Sequence, residues 1–138
     1  MRYLLILVLF ISVECFSQPE NNSGLKKMCL VKTGTKNIYV DETPVTYADY
    51  KIYVRAGGPK NAYWYYESYN IDVQPVTGIS WHEAIDYCNW RSKCEGLEPV
   101  YQKIDLFDNW GYPVFEKDST ANGYRLPTAE EFEISAKA

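Results

Sequence analysis

The stretch that decides the fold of this chain is residues 122–133, which read Asn-Gly-Tyr-Arg-Leu-Pro-Thr-Ala-Glu-Glu-Phe-Glu. Within it, Thr128 and Glu131 have the spacing of a capping box, in which each side chain bonds the other residue's backbone N–H. A helix is therefore predicted to begin after Thr128. Arg125 lies just before this cap, and we expect it to anchor the preceding loop through charge-assisted hydrogen bonds.

The helix predicted after Thr128 carries Phe132 and Ala136 on one face. We expect Phe132 to bury its apolar surface there. No stop signal follows, so the helix is expected to continue to the final residue, Ala138.

A second capped helix is predicted upstream, where Ser80 and Glu83 repeat the capping-box spacing. The apolar residues that follow fall at i, i+3, i+4 and i+7, so they form one stripe over two helical turns. These residues are Trp81, Ala84, Ile85 and Cys88. Gly96 is a natural stop for this helix, and we expect Trp81 and Cys88 to face the core.

The N-terminal part of the chain is predicted to form two short strands and a helix. The strands are expected at 28–31 and 37–41, on either side of turn residues. Thr46 and Asp49 form another capping box, which predicts a first helix over about 47–55.

Two longer segments are predicted to be loops. Residues 61–79 show no helical period and are interpreted as loop, with a strand near 70–73. Residues 97–122 are interpreted as mostly irregular because glycine and proline interrupt them repeatedly. A loop of that length with several aromatic residues favours a packed cover or a binding loop over a linker.

Composition predicts one folded domain. The chain has 138 residues, of which 46% are hydrophobic and 16% aromatic, so it is too rich in core-forming residues to be disordered. Its net charge is -4, with no basic stripe of the kind that binds phosphates, so nucleic acid is not a predicted partner.

The first residues are typical of a secretory signal peptide. A short positive start precedes an apolar run at 3–13, which is too short to span a bilayer because a span needs about 20 residues. We therefore predict a signal peptide at 1–17, a flexible lead-in at 18–27 and a folded domain at 28–138. We therefore expect a secreted, periplasmic or cell-surface protein with no membrane span after cleavage. An uncleaved N-terminal anchor is the alternative.

Three cysteines follow the predicted signal peptide, an odd number in a compartment that permits disulfides. Cys88 and Cys94 are separated by about 9 Å of rise on one continuous helix, too far for a bridge. Pairing Cys29 with either would leave one thiol unpaired, so the pairing stays open. His82 is the single histidine, and we expect it on a helix surface; no zinc site is predicted.

Four motifs give this chain a resemblance to a known family. Residues 122–133 resemble the GYRLPTEAEWE hallmark of the formylglycine-generating enzyme family, also called the sulfatase-modifying-factor family. Residues 75–90, PVTGISWHEAIDYCNW, are similar to that family's segment PV-x-x-(V/I)SW-x-x-A-x-x-YC-x-W. Residues 44–50, PVTYADY, and 95–101, EGLEPVY, resemble two shorter family motifs. Their order is that of the N-terminal portion of the family domain, and together they cover nearly all of 38–138.

The resemblance implies an irregular α+β fold related to C-type lectins, with two to three helices, few short strands and long ordered loops. Oxidases of the family bind copper through a cysteine pair and also bind calcium, in regions beyond the hallmark helix. No residue here matches those regions, so we expect a C-terminally truncated domain with no catalytic residue, no metal site and no identifiable cofactor. The motif residues are expected to have structural roles; they are Ser80, Trp81, Cys88, Arg125, Pro127, Thr128 and Glu131.

One aromatic cluster is a candidate recognition site. Its members are Tyr63, Trp64, Tyr65, Tyr66 and Tyr69. Tyrosine and tryptophan give large contact areas at low entropy cost, and lectin-like folds bind through such loops. The alternative is an aromatic loop packed on the domain's own core.

Three functional hypotheses remain open. The first is a secreted, non-catalytic binding or accessory module with a protein or peptide partner. The second is a truncated or split part of a copper-dependent formylglycine-generating oxidase that acts on a sulfatase cysteine. The third is a degenerate remnant without autonomous function. The oligomeric state is not predicted.

Overall fold

The computed structural model describes residues 26–33 and 36–137. The predicted signal peptide at 1–17 and most of the lead-in at 18–27 lie outside the described residues. No helix in the described ranges is both long enough and apolar enough to cross a membrane.

The architecture is α+β, as predicted. The described residues form four short antiparallel strands and three helices in chain order: β1 Met28–Thr33, β2 Lys36–Asp41, α1 Tyr47–Arg55, α2 Trp81–Cys94, β3 Tyr101–Phe107, β4 Pro113–Lys117 and α3 Ala129–Ser135. The strands pair as two separate hairpins, β1 with β2 and β3 with β4.

The first hairpin confirms the two strands predicted near the N-terminus. Its register runs from Met28 opposite Asp41 to Thr33 opposite Lys36. The Thr33 hydroxyl donates to the Lys36 carbonyl at 2.8 Å, which closes the turn end of the ladder.

All three helices begin at the predicted capping boxes. The Thr46, Ser80 and Thr128 side chains each accept the backbone N–H three residues on, and the acidic residue there accepts the cap's own N–H. Each box satisfies N–H groups that a helix start otherwise leaves unpaired. Helix α1 has the predicted bounds, and α2 ends just before Gly96, whose φ is +70°.

The strand predicted near residues 70–73 is wrong. These residues form turns, in which the Asn70 amide donates to the Tyr66 carbonyl and the Gln74 amide to the Ile71 carbonyl. A carbonyl group of this segment instead accepts a hydrogen bond from the start of α1, because Tyr47 N–H donates to the Gln74 carbonyl at 2.9 Å. The segment therefore pairs with the start of α1 instead of a strand.

The prediction of a mostly irregular segment over residues 97–122 is also wrong, because β3 and β4 lie within it. Their register is regular from Tyr101 opposite Lys117, with an irregularity between Lys103 and Phe107. The glycine and proline that were interpreted as interruptions belong to the turn between the strands and to the first residue of β4, a position where proline costs no ladder bond.

The core consists of two clusters that α2 joins. Ile85 and Cys88 pack with Val100 and Tyr101 in one cluster. Tyr87, one residue away from Cys88 on α2, packs with α1 in the other cluster, together with Tyr50 and Tyr53.

Two predicted core residues are exposed, which corrects the sequence analysis. Trp81 is 51% exposed because it is the first residue of α2 and lies at the edge of its cluster. Phe132 is 64% exposed, and no residue of the seven-residue helix α3 is buried. Helix α3 also ends at Ser135, earlier than predicted, where the last turn tightens and the Lys137 amide donates to the Ile134 carbonyl.

Candidate binding surface on the tyrosine loop

Residues 61–79, here called the tyrosine loop, are held at both ends by α1 and by their own backbone. The buried Asn61 donates from Nδ2 to the Tyr47 hydroxyl at 2.9 Å and also to the Thr77 carbonyl. Ala62 N–H donates to the Gly78 carbonyl at 3.0 Å. These bonds fix the two ends of the loop side by side against α1.

Trp64 lies on the core side of the loop. It is half-buried and packs against the cluster of Tyr50, Tyr53 and Tyr87. Its carbonyl accepts from Asn70 Nδ2 at 2.8 Å. Trp64 therefore packs on the domain's own core, which is the alternative that the sequence analysis gave for the aromatic cluster.

The tyrosines of the cluster lie on the solvent side instead. Tyr63 stacks on Tyr69 with ring centroids 5.2 Å apart and an angle of 28° between the planes. Tyr66 meets both rings edge-on, at 6.4 Å from Tyr63 and 6.5 Å from Tyr69. All three side chains are exposed, so they form a preorganised aromatic triad that faces solvent.

Tyr65 extends this exposed surface. It is 78% exposed, and its hydroxyl accepts from Lys60 Nζ at 2.9 Å. Ile71 and Val73, further along the same loop, are also exposed. An aromatic triad with apolar neighbours and hydroxyl groups suits contact with the apolar side chains and backbone amides of a polypeptide.

The motif residues predicted to be structural lie in other parts of the fold. Ser80 and Thr128 cap helices, and Cys88 is buried in the core. Arg125 forms a two-pronged ion pair with Glu131, in which each of two guanidinium nitrogens lies 2.7 Å from a carboxylate oxygen. Pro127, next to the Thr128 cap, is exposed.

The Arg125 pair controls the protonation of Glu131. Hydrogen bonds from Arg125 hold the pKa of Glu131 at about 2, below the usual glutamate value of 4.5. We expect an NMR titration to give a carboxyl midpoint near pH 2, and Arg125→Met to return it towards 4.5. A midpoint near 4.5 in the unmodified chain would contradict the pairing.

The lowered pKa also predicts how α3 responds to acid. A depressed folded-state pKa contributes stability that is present above the unfolded pKa of 4.5 and lost as the pH falls towards 2. The pair is partly open to solvent, so we expect the free energy of unfolding α3 to fall by about 1 kcal/mol over this pH range. Amide hydrogen exchange of α3 should show this fall, and in Glu131→Gln the stability of α3 should depend less on pH.

The copper site implied by the family resemblance requires a cysteine pair, and the described cysteines do not fit one. Burial raises the pKa of the Cys88 thiol to about 11, which disfavours the thiolate that binds copper. Cys29 is an exposed free thiol on β1, and Cys94 is exposed at the last position of α2. Over residues 26–33 and 36–137, no group of three or more His, Cys, Asp and Glu side chains is arranged to hold a metal ion, calcium included.

A second group of aromatic residues lies in and around the segment 97–122, which the sequence analysis interpreted as a packed cover or a binding loop without naming a site residue. His82, in the first turn of α2, stacks on Tyr112 with ring centroids 5.3 Å apart. Phe107, Trp110 and Tyr112, on the β3–β4 hairpin, are all exposed. The sequence signal was the number of aromatic residues between 97 and 122, but their arrangement depends on the strand pairing that was missed.

Comparison with known proteins places this α+β chain in a family. Residues 17–138 match the sulfatase-modifying factor enzyme 1-like domain. The match covers most of the chain, and the chain therefore belongs to this family.

A curated relative adds a narrower similarity. The chain is 38% identical over 74 residues to a protein named chaperone protein LppX from Paenibacillus barcinonensis. The aligned part covers 47% of this chain and 26% of the relative, so the chain spans about a quarter of that relative's length. No solved structure matches the chain.

Proposed function

We propose that this chain is a secreted, non-catalytic binding module of the sulfatase-modifying-factor family, and that its tyrosine loop binds an exposed apolar segment of a protein partner. The observation that carries the proposal is the stacked, solvent-facing triad of Tyr63, Tyr66 and Tyr69.

The physical argument rests on preorganisation. The triad rings are already in contact, so little side-chain freedom is left to lose on binding. The loop ends are fixed by the Asn61 hydrogen bonds, which lowers the cost of ordering the backbone. Large exposed aromatic patches on soluble domains mark interaction surfaces.

Two further observations support a protein partner in an extracytoplasmic compartment. The relative from Paenibacillus barcinonensis carries the name chaperone, which supports a polypeptide as the partner. The apolar run at 3–13 supports secretion, and N-terminal sequencing of the exported chain should then begin at Gln18.

The alternative is that the chain is part of a copper-dependent formylglycine-generating oxidase, which family membership supports. Burial and the raised pKa of Cys88 argue only against this chain's own buried thiol as a copper ligand. Incubating the chain with copper and a peptide that contains Cys-x-Pro-x-Arg tests it directly. Oxidation of the peptide cysteine would contradict the non-catalytic proposal.

The binding proposal is tested by the suppression of aggregation. A thermally unfolded model enzyme is mixed with the purified chain, and light scattering is followed. We expect the chain to reduce scattering, and the double variant Tyr66→Ala/Tyr69→Ala to lose most of the effect because it removes two faces of the triad. Both residues are exposed, so the variant should stay folded.

Tyr39→Ala is the matched control, because Tyr39 is an equally exposed tyrosine on β2 outside the tyrosine loop. It should suppress aggregation as well as the unmodified chain. If the double variant suppresses aggregation as well as the control does, the tyrosine loop is not the binding surface.

A further inference from the structure

The outer edge of β2 is unpaired. Over residues 26–33 and 36–137, the N-terminal sheet consists of β1 and β2 alone, so each strand bonds a neighbour on one side only. A two-stranded hairpin by itself is only marginally stable, and the free N–H and C=O groups along its edges can bond a further strand. The backbone of β1 also lies close to α3, whereas β2 is held to α2 through the Asp41 side chain. The edge of β2 is therefore the better candidate for pairing with another strand.

One hydrogen bond shows which backbone groups of β2 are free. The Glu42 amide donates to the Lys27 carbonyl at 2.9 Å, which continues the β1–β2 ladder by one residue. Backbone groups along an antiparallel strand alternate between bonding the neighbouring strand and pointing away from it. The even-numbered residues from 36 to 42 therefore bond β1. The N–H and C=O groups of three residues point outward, and these are Asn37, Tyr39 and Asp41.

The sequence of β2 is complementary to itself when it is read in the opposite direction. Suppose two copies pair antiparallel with Tyr39 opposite Tyr39. The outward backbone groups of Asn37 then meet those of Asp41, so every free group of the edge finds a partner. In the same register Ile38 lies opposite Val40, and cross-strand pairs of β-branched residues stabilise a sheet.

Opposite charges lie at both ends of this pairing. Lys36 and Glu42 are exposed, and their side chains lie on one face of the strand because an even number of residues separates them. In the self-paired register, Lys36 of each copy lies directly opposite Glu42 of the other. Glu42 binds Lys27 within its own hairpin at 3.1 Å but keeps nearly half of its side chain exposed, so it can contact a second cation. Opposite charges directly across a strand pair stabilise it, and like charges destabilise it.

The edge of β1 lacks this complementarity. Self-pairing of β1 about Leu30 would place Met28 opposite Lys32. Lys27 would lie opposite Thr33, so no opposite charges would meet. An unrelated extended segment would also find the free backbone groups of β2, but the match of side chains at each position favours a second copy of this chain.

We propose that the chain forms a symmetric dimer in which the β2 edges of two copies pair antiparallel about Tyr39, so that two hairpins become one four-stranded sheet. The proposal is independent of the tyrosine loop and does not rest on the proposed function. An interface of one strand pair is small, so we expect a Kd on the order of 100 µM. At the low micromolar concentrations of a scattering assay the chain would then be monomeric, and Tyr39→Ala stays a valid control for the tyrosine loop.

Sedimentation velocity at rising concentration measures the self-association of the purified chain. Lys36→Glu and Glu42→Lys should each weaken it by about tenfold or more, because each substitution turns two attractive pairs into repulsive ones. Lys117→Glu is the matched control, since it makes the same change of charge at an exposed lysine on β4. It should associate as the unmodified chain does. A chain that stays monomeric at about ten times the expected Kd would overturn the proposal.

Mixing the two single variants tests the register of the pairing. One variant carries acidic groups at both positions and the other carries basic groups at both, so they should form a mixed dimer about tenfold tighter than either variant with itself. Lys36→Glu/Glu42→Lys exchanges the two charges and should restore the association of the unmodified chain. If neither the mixture nor the exchanged variant regains association, the two β2 edges do not pair in this register.

Amide hydrogen exchange locates the contact. At concentrations that populate the dimer, the amides of Asn37, Tyr39 and Asp41 should become protected, because they then bond the second copy. Ile38 and Val40 already bond β1 and should change little. Protection that arises on the tyrosine loop and not on these three amides would overturn the proposal. Protection that requires an added peptide of unrelated sequence would overturn it in favour of a different polypeptide at this edge.

Discussion

Replacing Arg91 with leucine is expected to lower the free energy of unfolding by about 3 kcal/mol, because it removes one partner of a largely buried ion pair and leaves the other without a counter-charge. Arg91 Nη1 lies 2.6 Å from Asp41 Oδ2, and Arg91 Nε lies 3.2 Å from Glu95 Oε1. The guanidinium also lies over the Tyr124 ring, 3.8 Å from its centroid. Three separate parts of the chain therefore meet at one side chain.

The charge of Arg91 is strongly favoured in the folded state. Burial acts to lower its pKa, but the hydrogen bond and the negative charge of Asp41 together outweigh burial and raise the pKa above its usual value. With leucine at this position, Asp41 would keep its largely buried carboxylate without a positive partner. The cost of that unpaired charge is the main reason for the size of the expected effect.

Urea unfolding followed by tryptophan fluorescence measures this effect. Lys93→Leu is the matched control, because Lys93 is an exposed cation two residues further along α2, and it should change the free energy of unfolding by less than about 0.5 kcal/mol. If the two variants lose similar stability, the Asp41 contact does not hold the first hairpin to α2.

The contrast between Arg91 and Arg125 shows what the sequence could predict. The Arg125 partner, Glu131, lies six residues away within one motif, so its anchoring role followed from local spacing. The Arg91 partner, Asp41, lies 50 residues away, and no local pattern connects them. Capping boxes were predictable for the same local reason, whereas the pairing of β3 with β4 depends on contacts that no periodicity encodes.

The position of the candidate site in the chain was predictable, but which of its rings face solvent and which face the core was not. The density of aromatic residues singled out the tyrosine loop. Which ring would face the core depended on the position of the loop against α1, and of the five rings in the predicted cluster only Trp64 packs there. Trp81 shows the same limit, because an apolar stripe gives the direction of a helix face but not where the neighbouring core ends.

Gly123→Ala is expected to lower the free energy of unfolding by about 3 kcal/mol, because the chain approaches α2 too closely there for any side chain. A Cβ atom at this position would collide with the Glu98 carbonyl oxygen and lie 2.5 Å from Ser92 Oγ. Ser92 is fully buried, and its hydroxyl accepts from the Tyr124 amide at 2.8 Å and donates to the Cys88 carbonyl at 2.8 Å. The hydroxyl therefore cannot move aside without breaking the bonds that fasten the family's hallmark motif to α2.

Gly96→Ala separates this steric effect from the general cost of replacing a glycine. Gly96 has a φ of +70°, but a Cβ atom there would meet nothing within 4 Å. Its replacement should cost only about 1 kcal/mol, the strain of a left-handed backbone in an alanine. Urea unfolding of both variants compares the two costs, and equal losses would contradict the close approach at Gly123. A larger loss for Gly123→Ala would mean that the glycine of the hallmark motif serves the contact with Ser92 and not backbone freedom, since Gly123 has no positive φ.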